Sequence, residues 1–232
     1  MKKGGWYKLF LISLFVGVWI WAAINPLYRD GWLLENYLVF IFVPIILIAG
    51  YYFRLSNISY TLITIFMILH VIGSHYTYAE VPFGYWLQEF FHSSRNMYDR
   101  LVHFSFGLLI YYPMREVLVR LGKIKGTWSL YFPIDIVLAG SAVYELIEWA
   151  SVGVVDPQAG LAFLGAQGDI WDAQKDMLNA FIGSVIAMLI TLTFNFVLNK
   201  NFWKEIKESM RIPKGDMPLG EMKMLEWLNG KN

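Results

Sequence analysis

The chain contains no cysteine. That absence excludes disulfides, a thiolate nucleophile and any zinc site built on sulfur. A short metallohydrolase signature such as H-E-x-x-H is also missing. So are tandem repeats, low-complexity runs and any stretch that reads as an added soluble domain. What is present in excess is apolar surface: 57% of 232 residues are hydrophobic and 18% aromatic. A soluble fold of this length has too little interior to hide so much, whereas a bilayer serves as an apolar solvent. Composition therefore predicts an all-α polytopic membrane helix bundle.

A spanning helix needs about 20 mostly apolar residues. Six segments qualify, at roughly 6–25, 34–53, 58–76, 99–119, 131–152 and 171–198. The first ends at Asn25-Pro26 and follows Lys2 and Lys3, a flank that a signal peptide shares. Its length, Trp19 and Trp21 near its far end, and the lack of a small-x-small site favour an uncleaved anchor. After the sixth, NKNFWKEIKESMRI reads as an amphipathic helix along the membrane surface. The final stretch carries Pro213 and Pro218 and reads as a loose tail. The expected organisation is one transmembrane domain over 1–199, followed by a cytoplasmic amphipathic helix and tail over 200–232.

Basic residues set the expected orientation. With the N-terminus inside and the segments alternating, fifteen of the 19 Lys and Arg residues fall inside, and only Arg29, Arg95, Arg100 and Lys175 fall outside. This predicts a multi-pass protein of the inner (plasma) membrane with both termini cytoplasmic. Trp6, Trp128 and Trp203 fall at predicted inner boundaries, and Trp21, Trp32, Trp149 and Trp171 at outer ones. Indole favours that level because its ring is apolar while its N–H needs a partner.

The acids run the other way: eleven of 18 lie in the outer half or its loops, as do His70, His75, His92 and His103. At about 1.5 Å per residue, His103 lies one turn inside from Asp99, and Glu145 and Glu148 lie roughly 6–10 Å from the outer end of the fifth segment. Asp172 and Asp176 reach a similar depth in the sixth, and His70 in the third. Asp169, Asp172, Asp176, Asn179 and Gly183 follow a 3, 4, 3, 4 spacing, one face of a helix. Asp99 with His103, and Glu145 with Glu148, stand at spacings that share a helix face. Charge inside hydrocarbon costs several kcal/mol, so such groups face a protein interior or water. The pattern predicts one polar cavity open to the outside.

Plainer readings cover part of this pattern. Asp169 and Asp99 suit helix N-termini as caps, and His92 suits a solvated loop. His70 beside Ser74 suits a helix–helix hydrogen bond, and Arg100 or Lys175 could hold Glu145 and Glu148 in an ion-pair network. Capping leaves Asp176, Asn179, Glu145 and Glu148 unexplained. The segments 80–98 and 153–168 read as interfacial connectors, the latter with the alternative of a lid or re-entrant loop.

Asp99-Arg100-Leu101-Val102-His103-Phe104, with Phe106-Gly107 after it, resembles the opening of a helix in VanZ-like membrane proteins. That family then places a glutamate in the next helix and an Asp-to-Asn-to-Gly stripe in the following one. Glu145 or Glu148, and Asp172, Asp176, Asn179 and Gly183, match that order over about 99–184. The chain departs from it in having Glu148 where those proteins tend to have glutamine. Over its whole length, including LHVIGSHYTYAEVPFG and QGDIWDAQKDMLNAFIGS, the chain is similar to the YjdF-type bacterial inner-membrane proteins. The resemblance implies a helical membrane protein, and the YjdF-type family brings no settled activity with it.

Three readings follow, with no nucleic-acid partner in any of them. The first is a metal-dependent enzyme acting on a lipid or lipid-linked substrate. In it His70, His75, Glu80, Asp99, His103, Asp169 and Asp172 are candidate ligands for a divalent ion, and Glu145, Glu148 and Asp176 are candidate catalytic carboxylates. The second is a structural or partner-docking role. The third is a cation- or proton-coupled transporter, which the apolar run FIGSVIAMLITLTF beyond Asn179 supports poorly.

Overall fold

The computed structural model describes residues 3–152, 165–212 and 220–230. The lid or re-entrant loop considered for 153–168 (apart from 165–168) and the tail prolines Pro213 and Pro218 lie outside the described residues. Among the described residues there is no strand, and the helices are α1 (Lys3–Ala23), α2 (Arg29–Tyr52), α3 (Asn57–Tyr76), α4 (Pro82–Phe90), α5 (Tyr98–Arg120), α6 (Gly126–Ser151), α7 (Asp172–Leu198), α8 (Phe202–Ser209) and α9 (Glu221–Leu228). Five of them, α1, α2, α3, α6 and α7, are long and apolar enough to cross a membrane. With 23 residues α5 has the length as well, but it carries Asp99, Arg100, Arg115, Glu116 and Arg120. It tolerates them because it is the central helix, packed by α3, α6 and α7. Leu189, Phe194 and Val197 of α7 point outward, as side chains facing lipid do.

Short-range chemistry sets the helix ends. Ser56 caps α3 by accepting from the Ser59 N–H at 3.2 Å. At its other end Thr77 takes a left-handed φ of 62°, and the Tyr78 N–H returns to the Gly73 carbonyl at 2.9 Å. Gly73 is needed there, since a Cβ would stand 2.7 Å from the Tyr78 ring. The closest helix pair is α5 with α7. A Cβ at Gly107 would run into the Ala180 carbonyl oxygen, and one at Gly183 into that of Phe104. Two facing glycines thus bring the backbones together, as small residues do in membrane bundles.

The segment 80–98, expected as a connector, contains α4, whose Phe83, Trp86 and Phe90 stack at 5.4 and 5.6 Å along one exposed side. The amphipathic stretch after the last long helix forms α8, which packs on the start of α6. The Ser209 hydroxyl accepts from the Thr127 N–H at 2.9 Å, and the Ser209 carbonyl accepts from the Trp128 indole at 3.0 Å.

The bundle has two chemically different ends. One gathers the starts of α5 and α7 and the finish of α6; it is called the acidic end below. At the basic end, Glu116 of α5 ties α5 to α3. It accepts from the Ser56 N–H at 2.8 Å, the Ser56 hydroxyl at 2.8 Å and the Ser59 hydroxyl at 2.5 Å, and it pairs with Arg120.

Candidate functional site

At the acidic end, Asp99 and His103 come from the first two turns of α5, and Asp176 from the second turn of α7. The two facing glycines sit one turn beyond His103 and two turns beyond Asp176, so the same close approach carries these side chains together. Donor atoms of Asp99, His103 and Asp176 all lie within 4.8 Å of one another, and all three residues are buried. The spacing of this buried Asp/His/Asp group is one that could hold a metal ion. His103 Nε2 stands 3.6 Å from Asp99 Oδ1 and 3.4 Å from Glu145 Oε1, with Nδ1 3.3 Å from the Ser141 hydroxyl. Oε1 of Glu145 and Oδ1 of Asp176 are buried without a hydrogen-bond partner among the described residues. Glu148, one turn beyond Glu145, is buried against it.

Two arginines organise the remaining acids. Arg100 reaches Asp176 Oδ2 at 2.5 Å, Asp172 Oδ1 at 2.7 Å and Asp169 Oδ2 at 3.2 Å, and donates to the Asp172 carbonyl at 2.9 Å. Arg95, from the loop before α5, pairs with Asp172 and with Asp99 Oδ2 at 3.4 Å. It also donates to the Gly165 carbonyl at 3.1 Å. The alternative of an ion-pair network between Glu145 or Glu148 and Arg100 or Lys175 does not form. Arg100 is taken up by α7 and its approach, and Lys175 bonds Asp169 at 2.7 Å. That ammonium, with the Trp171 N–H, holds the Asp169 carboxyl below its usual range.

The expected cap at Asp169 is a local turn instead: its side chain accepts from Trp171 at 3.1 Å, ahead of the first residue of α7. At the start of α5 the N-cap is Met97, which has no side-chain oxygen, and Asn96 just before it accepts from the Tyr98 N–H at 3.0 Å, leaving Asp99 free for the cluster. Asn179, placed on the acidic stripe by spacing, turns back to the Lys175 carbonyl of its own helix at 2.8 Å, and Ala180 takes the buried position.

Other candidates stand apart from the Asp/His/Asp group. Nε2 of His70 lies 3.1 Å from the Glu35 carbonyl, which can only accept, so this nitrogen donates. Nδ1 then accepts from the Tyr78 hydroxyl at 2.5 Å. With both nitrogens engaged, His70 has no lone pair left for a metal. It does not bond Ser74, which instead lies 3.4 Å from the Asn36 amide. Burial raises the Tyr78 phenol well above its ordinary range, which keeps it a donor. His75 bonds the Ala22 carbonyl at 3.0 Å and stacks on Trp21, fastening α3 to α1. Glu80 is exposed and accepts from Tyr28 at 3.5 Å.

Sequence reasoning passed over Glu35, Tyr144, Ser141 and Arg95 as members of the site. Glu35 of α2 is buried, and its carboxylate accepts from the Tyr144 hydroxyl at 2.9 Å. Its four-residue spacing to Val39, also buried, was the available signal. Altogether six buried carboxyl groups (Glu35, Asp99, Glu145, Glu148, Asp172 and Asp176) face two buried guanidiniums, Arg95 and Arg100. Such an excess in a low-dielectric interior requires protons or a bound cation to balance it.

Long apolar helices around a buried acid and histidine cluster define a polytopic α-helical membrane protein, embedded in a lipid bilayer and crossing it several times. The family described as "Predicted membrane protein (DUF2238)" matches residues 7–196. The chain is also 38% identical over 177 residues to "Inner membrane protein YjdF" of Escherichia coli (strain K12), covering 76% of this chain and 84% of that one. The chain belongs to this family, the YjdF-type membrane proteins, whose function is uncharacterised. No solved structure matches it.

Proposed function

We propose that the acidic end is a divalent-metal centre of an enzyme acting on a lipid or lipid-linked substrate in the outer leaflet. The observation that carries this reading is the convergence of Asp99, His103 and Asp176 within 4.8 Å, beside unpartnered oxygens on Asp176 and Glu145. Two carboxylates and an imidazole suit zinc, manganese or ferrous iron, and three protein ligands leave room for water. With its proton on Nδ1 and donated to Ser141, His103 presents the Nε2 lone pair to the ion, the outer-shell arrangement common for metal-bound histidine. A metal bound there supplies Lewis acidity and an acidified water. Glu145, facing His103, would serve as the general base at such a centre, with Glu148 beside it as the next proton acceptor. Asp169 and Asp172 hold Arg95 and Arg100 and so position the ligand-bearing helices.

Support for orientation comes from basic residues. Lys8, Arg54, Arg120, Lys123, Lys125 and Lys204 all lie toward the end opposite the cluster, which supports an orientation with both termini in the cytoplasm and the acids toward the exterior of the inner membrane. The cluster lies within about two turns, roughly 10 Å, of its end of the bundle, near lipid headgroups. The segment 1–199 then forms the transmembrane domain, with 200–232 on the cytoplasmic side.

Elemental analysis of protein incubated with zinc or manganese and desalted tests the centre. About one ion per chain is expected for the three-ligand set, with loss in His103→Ala and Asp176→Asn. Folded wild type that retains no ion refutes the metal. Loaded protein incubated with total membrane lipid, followed by lipid mass spectrometry, tests the enzyme: unchanged lipid and lipid-linked species would refute it. The architectural reading is favoured by one observation, the sharing of Arg95 and Arg100 among four aspartates. It predicts folded but metal-free protein.

A further inference from the structure

A second candidate site lies away from the acids, at the basic end. There α1, α2 and α3 enclose a crevice of about 910 Å³, large for a ligand site. Its shape follows from how α1 and α2 meet. Near the acidic end the Trp19 indole donates to Asn36 at 2.7 Å and packs on Trp32 and Phe40, joining the two helices. From that apex they diverge, each resting on α3 and not on the other. Phe15, Val43, Ile46 and Met67 make the deep wall. At the mouth stand Lys8, Arg54 and Tyr60, with Lys8 Nζ 4.2 Å from the centre of the Tyr60 ring. No carboxylate lines the crevice, and neither Lys8 nor Arg54 is in an ion pair among the described residues.

We propose that this crevice binds an anionic glycerophospholipid, with acyl chain between α1 and α2 and the phosphate at Lys8 and Arg54. The wedge is apolar to its floor, as a hydrocarbon chain requires. Its opening offers two cations and a phenol hydroxyl, with no acid to receive a headgroup ammonium. A net-negative headgroup such as phosphoglycerol satisfies both cations, whereas a zwitterionic one leaves its ammonium unpaired. Burial of the lipid's chain replaces the missing contact between α1 and α2, so the lipid acts as a structural part of the bundle. This site shares no residue with the acidic cluster and stands whether or not a metal binds there.

The test is native mass spectrometry of the full chain in detergent, titrated with phosphatidylglycerol or phosphatidylcholine of identical acyl chains. One phosphatidylglycerol should be retained per chain with about a thirtyfold preference, the size expected for two juxtamembrane cations at about 1 kcal/mol each. The pair Lys8→Gln and Arg54→Gln should abolish the preference, and Val43→Trp should weaken both lipids by filling the wedge. Lys204→Gln with Lys207→Gln, on α8, should leave the preference intact. Equal retention of the two lipids by wild type overturns the proposal. So does an undiminished preference in Lys8→Gln alone, which removes one cation and keeps a folded chain available if the double variant does not fold.

Discussion

Replacing Gly107 by alanine tests the link between helix packing and the acidic cluster. A Cβ there would lie 2.8 Å from the Ala180 carbonyl carbon and 2.8 Å from the Ser184 nitrogen, where ordinary contact begins at 3.4 Å. All the obstructing atoms are backbone, so no rotamer change relieves them. The Ala180 carbonyl oxygen stands closer still, so the helices must separate by more than about 0.6 Å, and overpacking of this kind costs roughly 1–3 kcal/mol. For a chain of this size that corresponds to a melting temperature lower by roughly 2–12 °C. The displacement also exceeds the tolerance of metal–ligand distances, about 0.2 Å. His103 lies four residues before Gly107, and Asp176 seven before Gly183, so metal retention should fall with stability. Thermal unfolding in detergent, followed by tryptophan fluorescence and paired with elemental analysis, reads both effects. Gly17→Ala is the control, because a Cβ there meets nothing within 4 Å. A Gly107→Ala protein that melts with the Gly17→Ala control and holds as much metal as wild type would refute the argument.

Arg100→Met should destabilise the fold by about 3–5 kcal/mol, because it leaves Asp172 and Asp176 buried with less compensating charge; adding Asp176→Asn should recover part of the loss in the same melting assay. At the opposite end, Glu116→Ala should cost roughly 1–3 kcal/mol by stranding the Ser56 and Ser59 donors, with no change in metal content on elemental analysis. His75→Ala and Glu80→Gln should leave metal stoichiometry at the wild-type value, since their side chains bond α1 and Tyr28, away from Asp99 and His103.

The long helices were legible because hydrocarbon demands about 20 apolar residues whatever their neighbours are. The segments read at 58–76 and 99–119 correspond to Asn57–Tyr76 and Tyr98–Arg120. In the cluster, Asp99, His103 and Asp176 were legible for a related reason, as polar groups at helical spacing where apolar ones were expected. What stayed hidden depends on rotation and on distant pairing. Asn179 and Ala180 differ by one step around α7, and only packing against α5 decides which is buried. The Glu116 contacts with Ser56 join residues 60 positions apart, and the Glu35–Tyr144 bond spans 109. Arg95 sits in a loop, where periodicity carries no information. His70 looked like a ligand because its depth was right, but hydrogen bonds to both ring nitrogens occupy it.

The anchoring of α5 at both of its ends determines where the molecule can yield. Glu116 pins its lower turn to α3, and Arg95, Arg100 and the glycine seam weld its upper turns to α7. Together these three helices form the spine, and the α1–α2 hairpin rests mainly on α3, with the Glu35–Tyr144 bond as its tie to α6. A lipid ligand of the proposed centre would therefore have to enter by yielding of the periphery, through α6 or that hairpin, while the spine keeps the acids in register.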